Sequence, residues 1–166
     1  MLKITLIFLM LAVALSALAF QNEPDSFRGI EWGASINDIG DMVKIDDAGE
    51  LRTYQKKNED MKMGDAALKY LVYFFFRDKF CGSLAVYDEY ASFIAIRDTL
   101  FQRHGTGQFI RIAREGEEYN WLGKDVNIIL RYNERTNKGT LTYIYTPDSN
   151  RQQHEAVTAR RQAQAI

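Results

Sequence analysis

Residues 67–87 read ALKYLVYFFF-RDK-FCGSLAVY, and this stretch decides the fold. From Ala67 to Phe76 both alternating sets are apolar: Tyr70, Val72, Phe74 and Phe76 on one side, Leu71, Tyr73 and Phe75 on the other. Side chains alternate across a strand, so such a run is a strand covered on both faces, or covered on one and exposed as an aromatic surface on the other. Arg77-Asp78-Lys79 makes a tight connection and Phe80 to Tyr87 returns, so the whole reads as a β-hairpin. The connection has no glycine, which leaves its turn type open.

Working outward, Tyr90 to His104 places Phe93, Ile96, Leu100 and Phe101 on one stripe at helical spacing, and Gly105 stands where a helix stops. Strands are expected at Phe109–Ile112, Glu118–Leu122, Val126–Tyr132 and Thr140–Thr146, with a loop over residues 133–139. Toward the N-terminus, Phe27 to Gly33 reads as a short opening strand. Ser35 with Asp38 resembles a capping box and predicts a short helix over Ile36–Met42. Val43–Ile45 and Leu51–Lys56 read as strands around the loop 46–50. Met63-Gly64-Asp65-Ala66 before the first hairpin echoes Leu122-Gly123-Lys124-Asp125 before the last. The expected fold is therefore α+β: an antiparallel sheet with helices on one face, built from a helix-then-strands unit used twice.

The ends differ in character. Lys3 precedes an uncharged apolar run to Ala19, and Ala17-Leu18-Ala19 supplies small residues at the positions a signal peptidase reads. Residues 1–19 read as a signal peptide cleaved before Phe20, in preference to an anchor, because the run is short of the ~20 residues a spanning helix needs. Export to the periplasm or beyond is the expectation, with no membrane span left after cleavage. The remaining 147 residues suffice for one domain, residues 20–146, followed by a polar tail, 147–166, read as a frayed helix or disordered. With Lys3 removed the net charge is −2, which offers no footprint for nucleic acid.

The opening Phe27-x-Gly29-Ile30-x-Trp32-Gly33-x-Ser35, the Tyr73 to Phe80 hairpin and the His104-Gly105 helix end resemble a group of uncharacterised exported proteins of Gram-negative bacteria. The likeness spans roughly residues 27–146 and implies a periplasmic location; it carries no catalytic residues. The order of elements is also similar to tandem helix-plus-sheet modules, such as the β-lactamase-inhibitor-protein and outer-membrane assembly lipoprotein folds. That second likeness concerns the fold and licenses no function.

Little in the chain suggests catalysis. The two histidines, His104 and His154, have no second histidine or cysteine at metal-ligand spacing, and His104 reads as a cationic cap on a helix end. Cys81 is alone and reads as a small buried hydrophobe. No serine sits in a nucleophile elbow, and Gly105-Thr106-Gly107 follows a helix rather than preceding one, which is wrong for phosphate. Neither a cofactor nor a metal is expected. The aromatic residues are more informative, because tyrosine and tryptophan concentrate in binding surfaces. Tyr70, Tyr73, Phe75, Trp121, Tyr143 and Tyr145 are the candidate binding residues, on an open sheet face that recognises an envelope protein or peptide without enzymatic activity. The alternatives are a small envelope hydrolase using Asp46, Asp47, Glu115 and Glu117, or a small apolar ligand held between sheet and helix.

Overall fold

A computed structural model describes residues 20–113 and 115–147. The signal-peptide and tail readings, and His154, lie outside the described residues. The elements are β1 (Ser26–Phe27), β2 (Ile30–Glu31), a single 3-10 turn (Ile36–Asp38), β3 (Met42–Ala48), β4 (Leu51–Lys56) and β5 (Lys62–Met63). Then come β6 (Ala66–Phe76), β7 (Lys79–Asp88), α1 (Tyr90–His104), β8 (Gln108–Ile112), β9 (Gly116–Leu122), β10 (Val126–Asn133) and β11 (Lys138–Tyr145). The strands of the main sheet run in the order β3-β4-β6-β7-β11-β10-β9-β8, and β5 pairs with β6. Every pairing is antiparallel.

That order is a meander out to β7, a jump to the far edge at β8, and a second meander back until β11 lies against β7. The helix makes the jump. Fifteen residues of α-helix rise about 22 Å, and the four strand spacings from β7 to β8 cover about 19 Å. Helix length and crossing distance therefore agree. Phe93, Ile96, Leu100 and His104 form the buried stripe of α1, close to the stripe expected from spacing.

The α+β expectation is corrected. The fold is predominantly antiparallel β, with one α-helix among the described residues, and the helix-plus-strands unit is not used twice. The missing helix was expected over Ile36–Met42. Ser35 does accept the Asn37 amide, but the turn ends at Asp38. Asn37, Asp38, Gly40 and Asp41 are all poor helix formers, and Asp41 takes a positive φ of 63° before the chain enters β3. The opening strand is corrected too. Arg28 and Gly29, with φ of 51° and 78°, fold it into a small hairpin of β1 on β2. The central turn is also settled, because Arg77 and Asp78 both take positive φ, as a two-residue primed turn requires.

Gly139 shows how tightly the two meanders are fitted. It lies opposite Tyr87 in the β7–β11 pairing, and a Cβ on it would come 2.2 Å from Cζ of that ring. Tyr87 is fully buried, and its hydroxyl donates to the Arg131 carbonyl at 2.8 Å, so the ring has nowhere to move. Replacing Gly139 by alanine is expected to cost at least about 2 kcal/mol from overpacking. Gly40→Ala, with nothing within 4 Å of the new methyl, serves as the control and should change the urea midpoint little.

Candidate functional site

Residues paired across an antiparallel ladder share a face, so register assigns every side chain to one side of the sheet. One row runs through Tyr54, Tyr73, Ser83, Tyr143, Ile128 and Trp121. This is the covered face. Phe93 packs its ring on Tyr132 at 5.5 Å, Phe27 packs on Tyr143 at 4.8 Å, and Trp32 stacks on Phe80 at 4.8 Å. Helix and N-terminal segment thus lie on the same side. Four of the six candidate binding residues, Tyr73, Phe75, Trp121 and Tyr143, are buried here as core. Tyr145 is half-buried on this face against Trp32, with ring centroids 5.8 Å apart. Tyr70 pairs with Val86, is 40% exposed and points to the opposite side. The six residues do not form one surface, because the strand alternation divides them between two faces.

The opposite face carries a different set of side chains, more aliphatic than aromatic. Its central row is Val72, Leu84, Thr142, Ile129 and Asn120, and the next is Phe74, Gly82, Ile144, Asn127 and Leu122. Leu51, Tyr70, Phe76, Leu122 and Ile144 are among its exposed apolar side chains, and Leu122 is 63% exposed. On β9 and β10 polar side chains enter this face, with apolar Ile110 beyond them on β8: Glu118, itself buried, pairs with Arg131 and accepts from Asn120 at 2.9 Å. The Arg131–Glu118 contact joins β10 to β9, whereas the Asn120–Glu118 contact lies within β9.

On the covered side a polar network replaces the expected site. Tyr73 donates to Glu59, and Arg28 pairs with Glu59 at 2.7 Å while donating to the carbonyls of Asp60 and Lys62. Burial, with the Glu59 carboxylate beside it, pushes the Tyr73 hydroxyl well above its ordinary range, so it stays a donor. The arrangement ties the loop before β5 to the sheet. A cleft of about 380 Å³ opens near the N-terminal segment, lined by Glu23, Pro24, Asp25, Trp32, Asp125, Val126 and Tyr145. The Glu23 carboxylate there is committed, accepting the amides of Lys124 at 2.9 Å, Asp125 at 2.6 Å and Val126.

The proposed hydrolase carboxylates are not brought together. Asp46 and Asp47 lie on β3 at one edge of the sheet, whereas Glu115 and Glu117 lie beside the β8 edge at the other. Asp47 is held below the usual carboxylate range by its hydrogen bond with Lys44, at 2.6 Å, and by the Gly49 amide, which suits an anion and not a proton donor. Glu117 pairs with Arg111 at 3.2 Å. The space between helix and sheet, where a small apolar ligand was considered, is filled by Phe93, Ile96 and Leu100. Among the described residues no group of three or more metal-ligating side chains is assembled, and no helix is long and apolar enough to cross a membrane. Cys81 is half-buried, and burial raises its thiol above the ordinary range.

Comparisons of the chain with protein-family models, curated proteins and solved structures gave no match.

His104 corrects its own expectation. It ends the helix, but it is buried, its Nδ1 lies 2.8 Å from the Asn22 carbonyl, and its ring meets Phe20 edge-on at 5.5 Å. Burial holds the imidazole below its ordinary value of 6.5 against the opposing pull of the Asn22 and Gln21 carbonyls, with Arg103 adding to the lowering. The unfolded chain therefore takes up this proton before the folded one does. Stability from His104 is full above pH 6.5 and is lost as the pH falls below it. Thermal melts on either side of that pH should show a drop on the acid side that is smaller in His104→Gln.

The Arg28–Glu59–Tyr73 network gives a second expectation. Glu59→Ala strands a largely buried guanidinium and should cost about 2–3 kcal/mol, whereas Tyr73→Phe, which removes a single hydrogen bond, should cost about 1. Denaturant unfolding of the two variants measures the difference.

Proposed function

We propose that the chain is an exported, non-enzymatic binding module that works in the periplasm or outside the cell. Its recognition surface is the uncovered face of the sheet, and its partner is a segment of an envelope protein or peptide. One observation carries the reading. An apolar field from Leu51 through Phe76, Phe74, Leu84 and Ile144 has the helix and the N-terminal segment on its other side. Large contiguous apolar surface is unusual on a protein that works alone, and it marks sites where other molecules sit. The surroundings favour a polypeptide over a lipid tail. Thr53, Thr140, Thr142, Asn120 and Asn127 are interleaved with the apolar residues on the same face and offer hydrogen-bond partners to a peptide backbone.

The test compares crosslinked capture from the host envelope by the unaltered protein, by Tyr70→Glu/Phe76→Glu/Ile144→Glu, and by Leu51→Ser alone. The three glutamates stand on exposed positions, so the fold should persist, as circular dichroism would confirm. A protein that the unaltered chain captures, the triple variant loses and the single variant retains in part supports the reading. A partner retained in full by the triple variant, or binding to plain phospholipid vesicles in place of any protein, overturns it.

A further inference from the structure

The two outer strands of the main sheet, β3 and β8, treat their free edges differently. A bare edge invites another strand, and proteins that must stay apart blunt it with charges and bulges. β3 does both. It carries Lys44, Asp46 and Asp47, and its register breaks between Lys44 and Asp46. β8 does neither. Its five residues pair with β9 in unbroken register from Gln108↔Asn120 to Ile112↔Gly116, and Arg111 is their only charge. Gln108 to Arg111 are all exposed, with Phe109 at 50%.

We propose that β8 pairs antiparallel with β8 of a second copy, about a two-fold axis at Ile110. The occupant follows from the sequence of the strand. An axis at Ile110 sets Phe109 opposite Arg111 of the other copy, twice, and Gln108 opposite Ile112, so all five residues find a partner. An axis at Arg111 would set two guanidiniums against each other, and an axis at Phe109 would pair Arg111 with Gly107. Phe109 and Arg111 share the covered side of the sheet, two residues apart on one strand, which puts a cation beside an aromatic ring across the joint. Arg111 already holds Glu117 at 3.2 Å and Glu134 at 2.9 Å. Those carboxylates screen the two arginines from each other and fix the side chain near its proposed contact. Five paired residues make a small interface, so the dimer is expected to be reversible and dependent on concentration.

This inference is independent of the binding reading, and the face variant above should dimerise unchanged. The test is sedimentation equilibrium of the purified full chain over a wide concentration series, with two opposite substitutions at one exposed position. Phe109→Arg places like charges in both cross-strand pairs and should weaken the dimer about tenfold or more, whereas Phe109→Glu places opposite charges there and should hold it within about threefold. A second measurement reads the axis. In a Cys81→Ser background, Ile110→Cys should form an intermolecular disulfide readily and Ile112→Cys should not, since only residue 110 faces itself. The proposal is overturned by a chain that stays monomeric throughout, by two Phe109 variants that behave alike, or by crosslinking at 112 and not at 110.

Discussion

The ladder between β7 and β11 is the constraint on which the rest of the structure depends. It joins strands far apart in sequence, from Lys138↔Asp88 to Ile144↔Gly82, and it makes one sheet of two meanders. Because β11 is the last strand of the second meander, the chain cannot simply continue from β7; it must start again at the far edge and work back. One crossover does this, and one helix can cover only one side. Among the described residues this topology leaves the face opposite the helix bare. A face left bare this way is usually polar in an antiparallel sheet. Here Phe74, Leu84, Ile129 and Ile144 lie along its middle, and the proposed binding role rests on that departure.

The same ladder explains where the aromatic residues went. A wide sheet packed by one helix among the described residues needs large side chains to fill its covered side, and rings do this economically when they lie across glycines. Tyr87 covers Gly139, and Trp121 covers Gly107 closely enough that a Cβ there would meet the indole at 2.7 Å. Polar atoms on packed rings need partners, and three find them in backbone carbonyls: Trp121 donates to that of Gly105 at 2.7 Å, half-buried Trp32 to that of Pro24 at 2.8 Å, and Tyr87 to that of Arg131. The excess of tyrosine and tryptophan is therefore largely core chemistry. It has the same composition as a binding surface because both tasks favour broad rings with a polar tip.

Local signals made most of the elements legible. The period-two run at Ala67–Phe76, the stripe from Phe93 to Leu100 and the glycine after His104 give β6, β7 and α1 nearly residue for residue. Two turns misled. Arg28-Gly29 sits inside an otherwise strand-like segment, and nothing local says that an arginine will adopt positive φ. At Ser35 the cap formed but the residues after it could not sustain a helix. The faces were harder, since a strand apolar on both sides gives no hint of which set meets the helix. Parity did carry part of the answer: Tyr70 is an odd step from Tyr73 and Phe75, and the irregularity recorded beside it lies between Leu68 and Tyr70. Which parity was core depended on the β7–β11 pairing, a contact no local window contains.

The uncovered face and the β8 edge also fit one another. A two-fold axis perpendicular to the sheet at Ile110 keeps like faces on the same side, so pairing through β8 would carry the uncovered face across two copies. Gln108, Ile110 and Ile112 of both copies would then lie in the middle of the joined sheet, with the polar strip of Glu118, Asn120 and Arg131 on each flank and the apolar field beyond it. Two equal sites held at a fixed separation bind a partner with two matching segments far better than either site alone. They also favour a symmetric or repetitive partner over a monomeric one. Bulged and charged, β3 would remain the end of the assembly, so the pairing closes at two copies and does not run on into a fibre.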